Sequence, residues 1–162
     1  MKCINCGKNA MVSHRETRKL ESLGLSNVVL KDAEVFRCTE CGEEELVLPN
    51  IEELHRLIAK TVVEKSAKLI PEEIRFLRKY LGWSGLDFAH HFGVAPETVS
   101  RWEHGKTEMS GTTERLLRLA VVHWAPVDNY PVEAMDKIKE RELKPLRVDV
   151  RRKKNRWELA PA

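Results

Sequence analysis

The chain has 162 residues, of which 42% are hydrophobic and 33% are charged, a balance typical of globular rather than disordered proteins. The formal net charge is only +3, which excludes a uniformly polybasic nucleic-acid binder and leaves only a local basic patch. No apolar run approaches the roughly 20 residues that cross a bilayer. Because no apolar signal segment follows Met1-Lys2-Cys3, we expect a cytoplasmic protein without a membrane partner.

The patterning along the chain predicts an α+β protein. We expect a small N-terminal four-cysteine zinc β-domain over residues 1–48 and a linker helix over 49–70. An all-α helix-turn-helix bundle is predicted over residues 71–124, followed by a C-terminal tail over 125–162.

The four cysteines all lie in the first quarter of the chain, in two C-x-x-C-G units formed by Cys3, Cys6, Cys38 and Cys41. In a reducing compartment, such pairs indicate metal binding before disulfides. Four thiolates suit tetrahedral zinc and leave no open position for water. We therefore predict one structural Zn²⁺ per chain. The alternatives are iron and a redox dithiol, and the presence of two matched cysteine pairs disfavours the redox dithiol.

The segment between the cysteine pairs is β-prone. Stretches at Met11–Thr17, Asn27–Leu30 and Glu34–Arg37 predict a small sheet with a turn at Gly24. A domain this short buries little apolar surface, so it needs the bound metal ion as a stabilising cross-link. His55, just beyond the domain, is not needed as a ligand and is predicted to lie on the surface.

Helical periodicity begins after the predicted metal domain. Asn50, with Glu53 three residues later, predicts a capping box for a helix that runs to about Lys68. Pro71 suits the first turn of the next helix, and Gly82 is expected to end it.

Two short helices follow. Ser84 and Asp87 predict a second capping box, Gly93 provides a turn, Pro96 opens the next helix and Gly105 stops it. A last helix is expected over about residues 112–124. A short capped helix, a glycine turn and a second short helix form a helix-turn-helix unit, whose second helix reads base edges in the major groove.

The helix after Pro96 is the predicted reading helix. Val99 and Trp102 should face the core, and Arg101 is then free to grip guanine bidentately. The alternative is a helical bundle with solvated charges. The candidate DNA-contacting residues are Ser84, Glu97, Thr98, Ser100, Arg101 and Lys106.

Two parts of the sequence resemble known protein families. Val94 through Gly105, with Leu81-Gly82-Trp83-Ser84 before it, resembles the Cro/C1-type (XRE) helix-turn-helix family. The resemblance implies a compact helical bundle that binds operators as a dimer. Gly85 departs from the family where a phosphate-contacting glutamine is common, and Ala95 departs where a capping serine is common, which should cost about 1 kcal/mol.

The cysteine segments give the sharper match. Met1-Lys2-Cys3-Ile4-Asn5-Cys6-Gly7 and Phe36-Arg37-Cys38-Thr39-Glu40-Cys41-Gly42-Glu43 resemble the YgiT-type zinc domain, and the combination with this helix-turn-helix over about residues 1–124 is similar to the MqsA-type antitoxin family. The resemblance implies a homodimer that represses its own operon. It also implies a zinc domain that neutralises a small toxin, usually an mRNA-cleaving ribonuclease. Arg101 matches the family, whereas Glu97 stands where an asparagine is common.

The acidic residues near the second cysteine pair suggest how a toxin would dock. A ribonuclease face that handles RNA is usually basic, so the cluster could bind there with complementary charge, and a sheet edge near Val28–Leu30 could add strand pairing. An ordinary solvated face is the alternative. The residues of this cluster are Glu40, Glu43, Glu44 and Glu45.

The tail is basic, with 10 basic and 7 acidic side chains over residues 126–162. Val132, Met135, Ile138 and Leu143 predict a short amphipathic helix, and the alternation of Leu146, Val148 and Val150 predicts a strand. The cluster Arg151-Arg152-Lys153-Lys154, with Arg156 and Trp157, is interpreted as a DNA arm, a solvated terminus, or an edge strand for the toxin or a second protomer.

The family resemblance implies a type II antitoxin and autorepressor, and its expected partners are a double-stranded operator, a cognate toxin and a second copy of the chain. The alternative is a stand-alone, zinc-stabilised transcriptional regulator without a toxin partner. An enzyme is not expected, because the sequence offers no Ser-His-Asp set, phosphate loop or open metal site.

Overall fold

A computed structural model describes residues 1–124, 138–154 and 156–161. It confirms the mixed α+β class, with a cysteine-bearing sheet followed by helices. Among the described residues, no helix combines the length and apolar character required to cross a membrane. The elements are β1 (Met11–Lys19), β2 (Val28–Cys38), β3 (Glu44–Leu46), α1 (Ile51–Glu64), β4 (Ala67–Lys68), α2 (Pro71–Tyr80), α3 (Gly85–Phe92), α4 (Pro96–Glu103), α5 (Gly111–Trp124), β5 (Lys139–Leu143), β6 (Val148–Lys153) and β7 (Arg156–Leu159).

The main sheet has the strand order β1-β2-β6-β7, and the short strand β3 pairs with the end of β2. β1 runs antiparallel to β2, whereas β6 runs parallel to β2 and antiparallel to β7. Asp32 has a φ of 57° and lies at a register shift between β1 and β2. This bulge breaks the period of two, so that Leu30 and Ala33 both face the core.

The predicted docking edge at Val28–Leu30 is wrong. These residues lie in the middle of the sheet, because β1 covers one side of β2 and β6 covers the other, with Val28 opposite Val148. Their backbone groups are already paired, so they offer nothing to a partner strand. The edges of the described sheet are β1 on one side and, on the other, β7 and the short strand β3.

The C-terminal segment has more strand than its sequence predicts. The strand prediction at Val148 and Val150 is confirmed, and both side chains are buried. The predicted amphipathic helix is wrong at Leu143, which lies in β5, whereas Val132 and Met135 lie outside the described residues.

The helix α1 begins as predicted, but it is not capped as predicted. Asn50 has a φ of 52° and its side chain makes no capping hydrogen bond. The helix also ends at Glu64 rather than near Lys68, because the chain then extends to pair with β5 as the short strand β4. The predicted start of α2 at Pro71 is confirmed.

One buried hydrophobic cluster runs from the sheet through the helices. Arg118 of α5, which is fully buried, donates hydrogen bonds to the carbonyl oxygens of Val63, Lys65 and Ala67 and to the carboxylate of Glu114. Arg118 therefore satisfies the carbonyl groups that the end of α1 would otherwise leave unpaired, and it fixes α5 against α1.

Candidate metal centre and nucleic-acid interface

The four cysteine thiols converge on one point. All four sulfur atoms lie within 4.8 Å of one another, with Sγ–Sγ distances of 3.5 Å for Cys3 and Cys41 and 3.6 Å for Cys6 and Cys38. A tetrahedral zinc–thiolate site has sulfur–sulfur edges of about 3.8 Å, since each Zn–S bond is near 2.3 Å. The cysteines are free thiols, because these separations far exceed the roughly 2 Å of a disulfide. The donor set therefore fits a tetrahedral metal ion.

The two cysteine pairs lie on two separate backbone turns that have the same hydrogen-bond pattern. In the first, the N–H of Gly7 donates to the carbonyl of Cys3, and the N–H of Cys3 donates to Lys8. In the second, Gly42 donates to Cys38 and Cys38 donates to Glu43. Gly7 and Gly42 have φ values of 69° and 76°, a region that disfavours other residues. The repeated C-x-x-C-G unit thus builds two matching knuckles.

The local backbone prepares these thiols unequally for ionisation. Backbone N–H groups of Cys41 and Glu40 lower the pKa of Cys38 to about 7, against the opposing effect of burial. The N–H of Glu43 acts on Cys41 in the same direction, but burial and the neighbouring thiols raise the pKa of Cys41 to about 12. Four thiolates so close together require a cation, whose binding would release protons.

Half of the acidic cluster beside the second knuckle is neutralised within the chain. The ammonium group of Lys8 lies 2.5 Å from the carboxylate of Glu40. Glu44 accepts hydrogen bonds from Arg18 and Arg37, and the bond from Arg37 lowers its pKa. Within the described parts of the chain, Glu43 and Glu45 form no ion pair, so they are the members of this cluster that an external cation could reach.

The helix-turn-helix forms from α3 and α4 as the sequence predicts. The hydroxyl of Ser84 accepts from the N–H of Asp87 at 3.1 Å, and the carboxylate of Asp87 accepts from the N–H of Ser84 at 2.8 Å. The capping box is thus confirmed, and it lowers the pKa of Asp87. Gly93 then turns the chain at a φ of 62°, and Ala95 precedes α4 without a side-chain cap.

The helix α4 buries and exposes the predicted faces. Val99 and Trp102 are buried, as expected. The candidate DNA contacts Glu97, Ser100 and Arg101 are exposed on α4, with Thr98 half-buried beside them. Outside the helix, the remaining candidates Ser84 and Lys106 are also exposed, at the start of α3 and after the end of α4.

Two features of α4 were not predicted. Glu103 is buried and accepts hydrogen bonds from Arg78 at 2.5 and 3.1 Å, while Arg75 donates to its backbone carbonyl. This network anchors α4 to α2. Exposed His104, four residues after Ser100, donates from Nδ1 to the Ser100 carbonyl at 2.7 Å. The sequence signal for Glu103 was its position four residues after Val99, which places both residues on the same face of the helix.

Most of the chain matches a known protein family. Residues 1–128 match a family described as the antitoxin component of a bacterial toxin-antitoxin system, MqsA. No curated protein sequence matches the chain significantly. The matched residues contain both the four-thiol centre and the helix-turn-helix.

Proposed function

Because the chain belongs to the MqsA antitoxin family, we propose that it neutralises a ribonuclease-type toxin and represses its own operon by sequence-specific DNA binding. The observation that carries the proposal is the presence of a four-thiol centre and a capped helix-turn-helix within the residues that match the family. Both are binding elements, so the proposed activity is recognition rather than catalysis.

Zinc is the metal that we propose for Cys3, Cys6, Cys38 and Cys41. Four sulfur donors at tetrahedral spacing suit Zn²⁺, and a closed set of protein ligands serves structure rather than chemistry. A bound ion would hold the two knuckles together and fix the ends of β1 and β2 beside them.

The toxin is proposed to dock on residues 1–48. Glu43 and Glu45 lie on the metal-stiffened side of this segment without a partner in the described chain, and the active face of a ribonuclease is basic. Complementary charge of this kind speeds association and selects the partner.

The operator is proposed to contact α4, with Arg101 as its main base-reading side chain. The anchoring of α4 through Glu103 supports this role, because a rigid helix presents Arg101 in one position. A palindromic operator requires a second copy of the chain. Leu116 and Leu119, each 47% exposed, lie one turn apart on α5 and offer an apolar face for that copy.

The test is to co-express the full chain with the small gene beside it and to purify the complex. We expect co-purification of a ribonuclease, and weaker capture by a Glu43→Lys/Glu45→Lys variant than by the control Glu21→Lys/Glu64→Lys. Leu116→Ser/Leu119→Ser should dissociate the dimer in sedimentation analysis. A monomeric wild-type chain that binds an operator but captures no neighbour would support a stand-alone regulator instead.

A further inference from the structure

The turn between β6 and β7 concentrates positive charge at one end of the sheet. Lys153, Lys154 and Arg156 are exposed there, and Lys154 has a φ of 53°, a conformation that non-glycine residues adopt at a cost. This hairpin lies beyond residues 1–128, which match the antitoxin family, so the family does not account for it.

The charges at this tip are not arranged to stabilise the hairpin. Lys153 lies directly opposite Arg156 in the ladder, and like charges in that relation destabilise a strand pair. The nearest carboxylate, Glu158, is bonded to Arg151 at 2.6 Å and lies 3.9 Å from the ammonium group of Lys153. One carboxylate therefore serves two cations, and the exposed side chains of Lys154 and Arg156 leave the tip with a positive charge.

The same side chains form a shallow open cleft. Its lining residues are Lys153, Lys154, Arg156 and Glu158, and its volume is about 430 Å³. A protein partner is usually held by a buried aromatic or aliphatic anchor, and none of these lining residues provides an apolar pocket for one. A cleft lined by three cations and by one carboxylate that is already bonded to Arg151, with no aromatic or aliphatic side chain, suits a phosphate backbone, which binds through charge.

We propose that the β6–β7 tip binds the phosphates of duplex DNA as a second contact, independent of base sequence. The inference extends the proposed operator binding by α4, but it requires no base reading. Lysine and arginine side chains at an exposed turn neutralise phosphates and release condensed counterions. The contact therefore raises affinity for every duplex alike and leaves sequence discrimination to α4.

The experiment compares two triple variants that remove the same charge. The tip variant, Lys153→Gln/Lys154→Gln/Arg156→Gln, removes the three positive charges of the tip. The control variant, Lys2→Gln/Lys19→Gln/Lys60→Gln, removes three positive charges from other parts of the chain. Binding of the full-length protein to operator and scrambled duplexes is measured by fluorescence anisotropy between 50 and 200 mM salt. Thermal melts by circular dichroism check that both variants fold.

The tip variant should weaken binding to both duplexes and reduce the slope of log K against log salt by about 2.7 for each bound chain, since each phosphate contact contributes about 0.9. The operator-to-scrambled ratio should not change, and the control should keep the wild-type slope. An unchanged slope in the tip variant overturns the proposal, as does a tip variant that loses only a protein partner. If wild type binds both duplexes equally but with a tip-dependent slope, the tip contact stands and the proposed operator reading fails.

Discussion

The indole Nε1 of Trp157 donates a 2.7 Å hydrogen bond to the carbonyl oxygen of Pro49, 108 residues earlier in the chain. This bond joins β7 to the segment that leads into α1. Trp157 is 8% exposed and belongs to the continuous hydrophobic cluster. The C-terminal strands therefore extend the N-terminal sheet and also close over the start of the helical half.

Replacing Trp157 should reveal how much this closure stabilises the chain. Trp157→Phe keeps most of the packing but loses the bond to Pro49, and should cost about 0.5–1.5 kcal/mol in the free energy of unfolding. Trp157→Ala also leaves a cavity and should cost about 3–5 kcal/mol. Urea denaturation measures both, with half-exposed Leu159→Ala on the same strand as the control. If Trp157→Ala costs no more than Leu159→Ala, the closure is not a stabilising contact.

The metal centre should be required by the sheet but not by the helices. We expect one zinc ion per chain in the purified protein and loss of that ion in Cys38→Ser, which removes one of four ligands. The helical signal in circular dichroism should persist, because α2 to α5 have their own buried residues, including Leu77, Phe88 and Leu117.

Asn5→Ala provides the matched control for this variant. The side-chain amide of Asn5 contacts the sulfur of Cys41 at 3.8 Å without being one of the four thiol donors, so this variant should retain its metal. Purified wild-type protein with neither zinc nor iron, and with its cysteines in disulfides, would contradict the assignment.

Two residues of α4, on either side of Trp102, should separate recognition from stability. Arg101 is exposed, so Arg101→Ala should weaken operator binding by about 1–3 kcal/mol and relax base preference at one position, with little change in stability. Glu103→Ala removes the buried carboxylate that pairs with half-buried Arg78 and should cost about 1–3 kcal/mol in the free energy of unfolding. Anisotropy and urea denaturation measure the two effects; operator affinity unchanged in Arg101→Ala would show that α4 is not the reading helix.

The sequence predicts local features of this chain better than long-range ones. The cysteine knuckles, the Ser84–Asp87 capping box and the buried pair Val99 and Trp102 follow from spacing over a few residues, and the structure confirms them. The parallel pairing of β2 with β6 joins Val28 to Val148, which lies 120 positions later in the chain. No periodicity within one strand specifies its neighbour.

The hydrogen bonds of buried charged side chains were also not predicted from the sequence. Charged residues are rarely buried without partners, and Glu103 and Arg118 each have partners on other elements, which no local pattern predicts. The capping prediction at Asn50 failed because the residue takes a left-handed conformation, from which its side chain does not reach the helix. In each case the conformation or burial of the residue depends on contacts with distant parts of the chain, and a local sequence pattern carries no information about those contacts.

His55 was predicted to lie on the surface, but the structure places it in a half-buried position. This environment makes the stability of the fold depend on the protonation of His55. It is half-buried on α1, and its Nε2 is the one buried side-chain nitrogen or oxygen among the described residues without a hydrogen-bond partner. Burial lowers its pKa from the ordinary 6.5, and Lys79 lines the same small cavity. A proton on His55 is therefore accepted more readily by the unfolded chain than by the folded one.

The consequence is a loss of stability on the acid side. As the pH falls below about 6.5, the unfolded chain takes up a proton that the folded chain still excludes, so the free energy of unfolding decreases until the pH reaches the lowered pKa of the folded state. His55→Phe removes the titrating group and should flatten the melting temperature across this window, whereas His123→Gln, at an exposed position, should follow wild type. Melts between pH 5 and 8, compared as differences from wild type, separate this effect from protonation of the metal thiolates. Parallel curves for wild type and His55→Phe would show that His55 titrates no differently in the folded and unfolded chains.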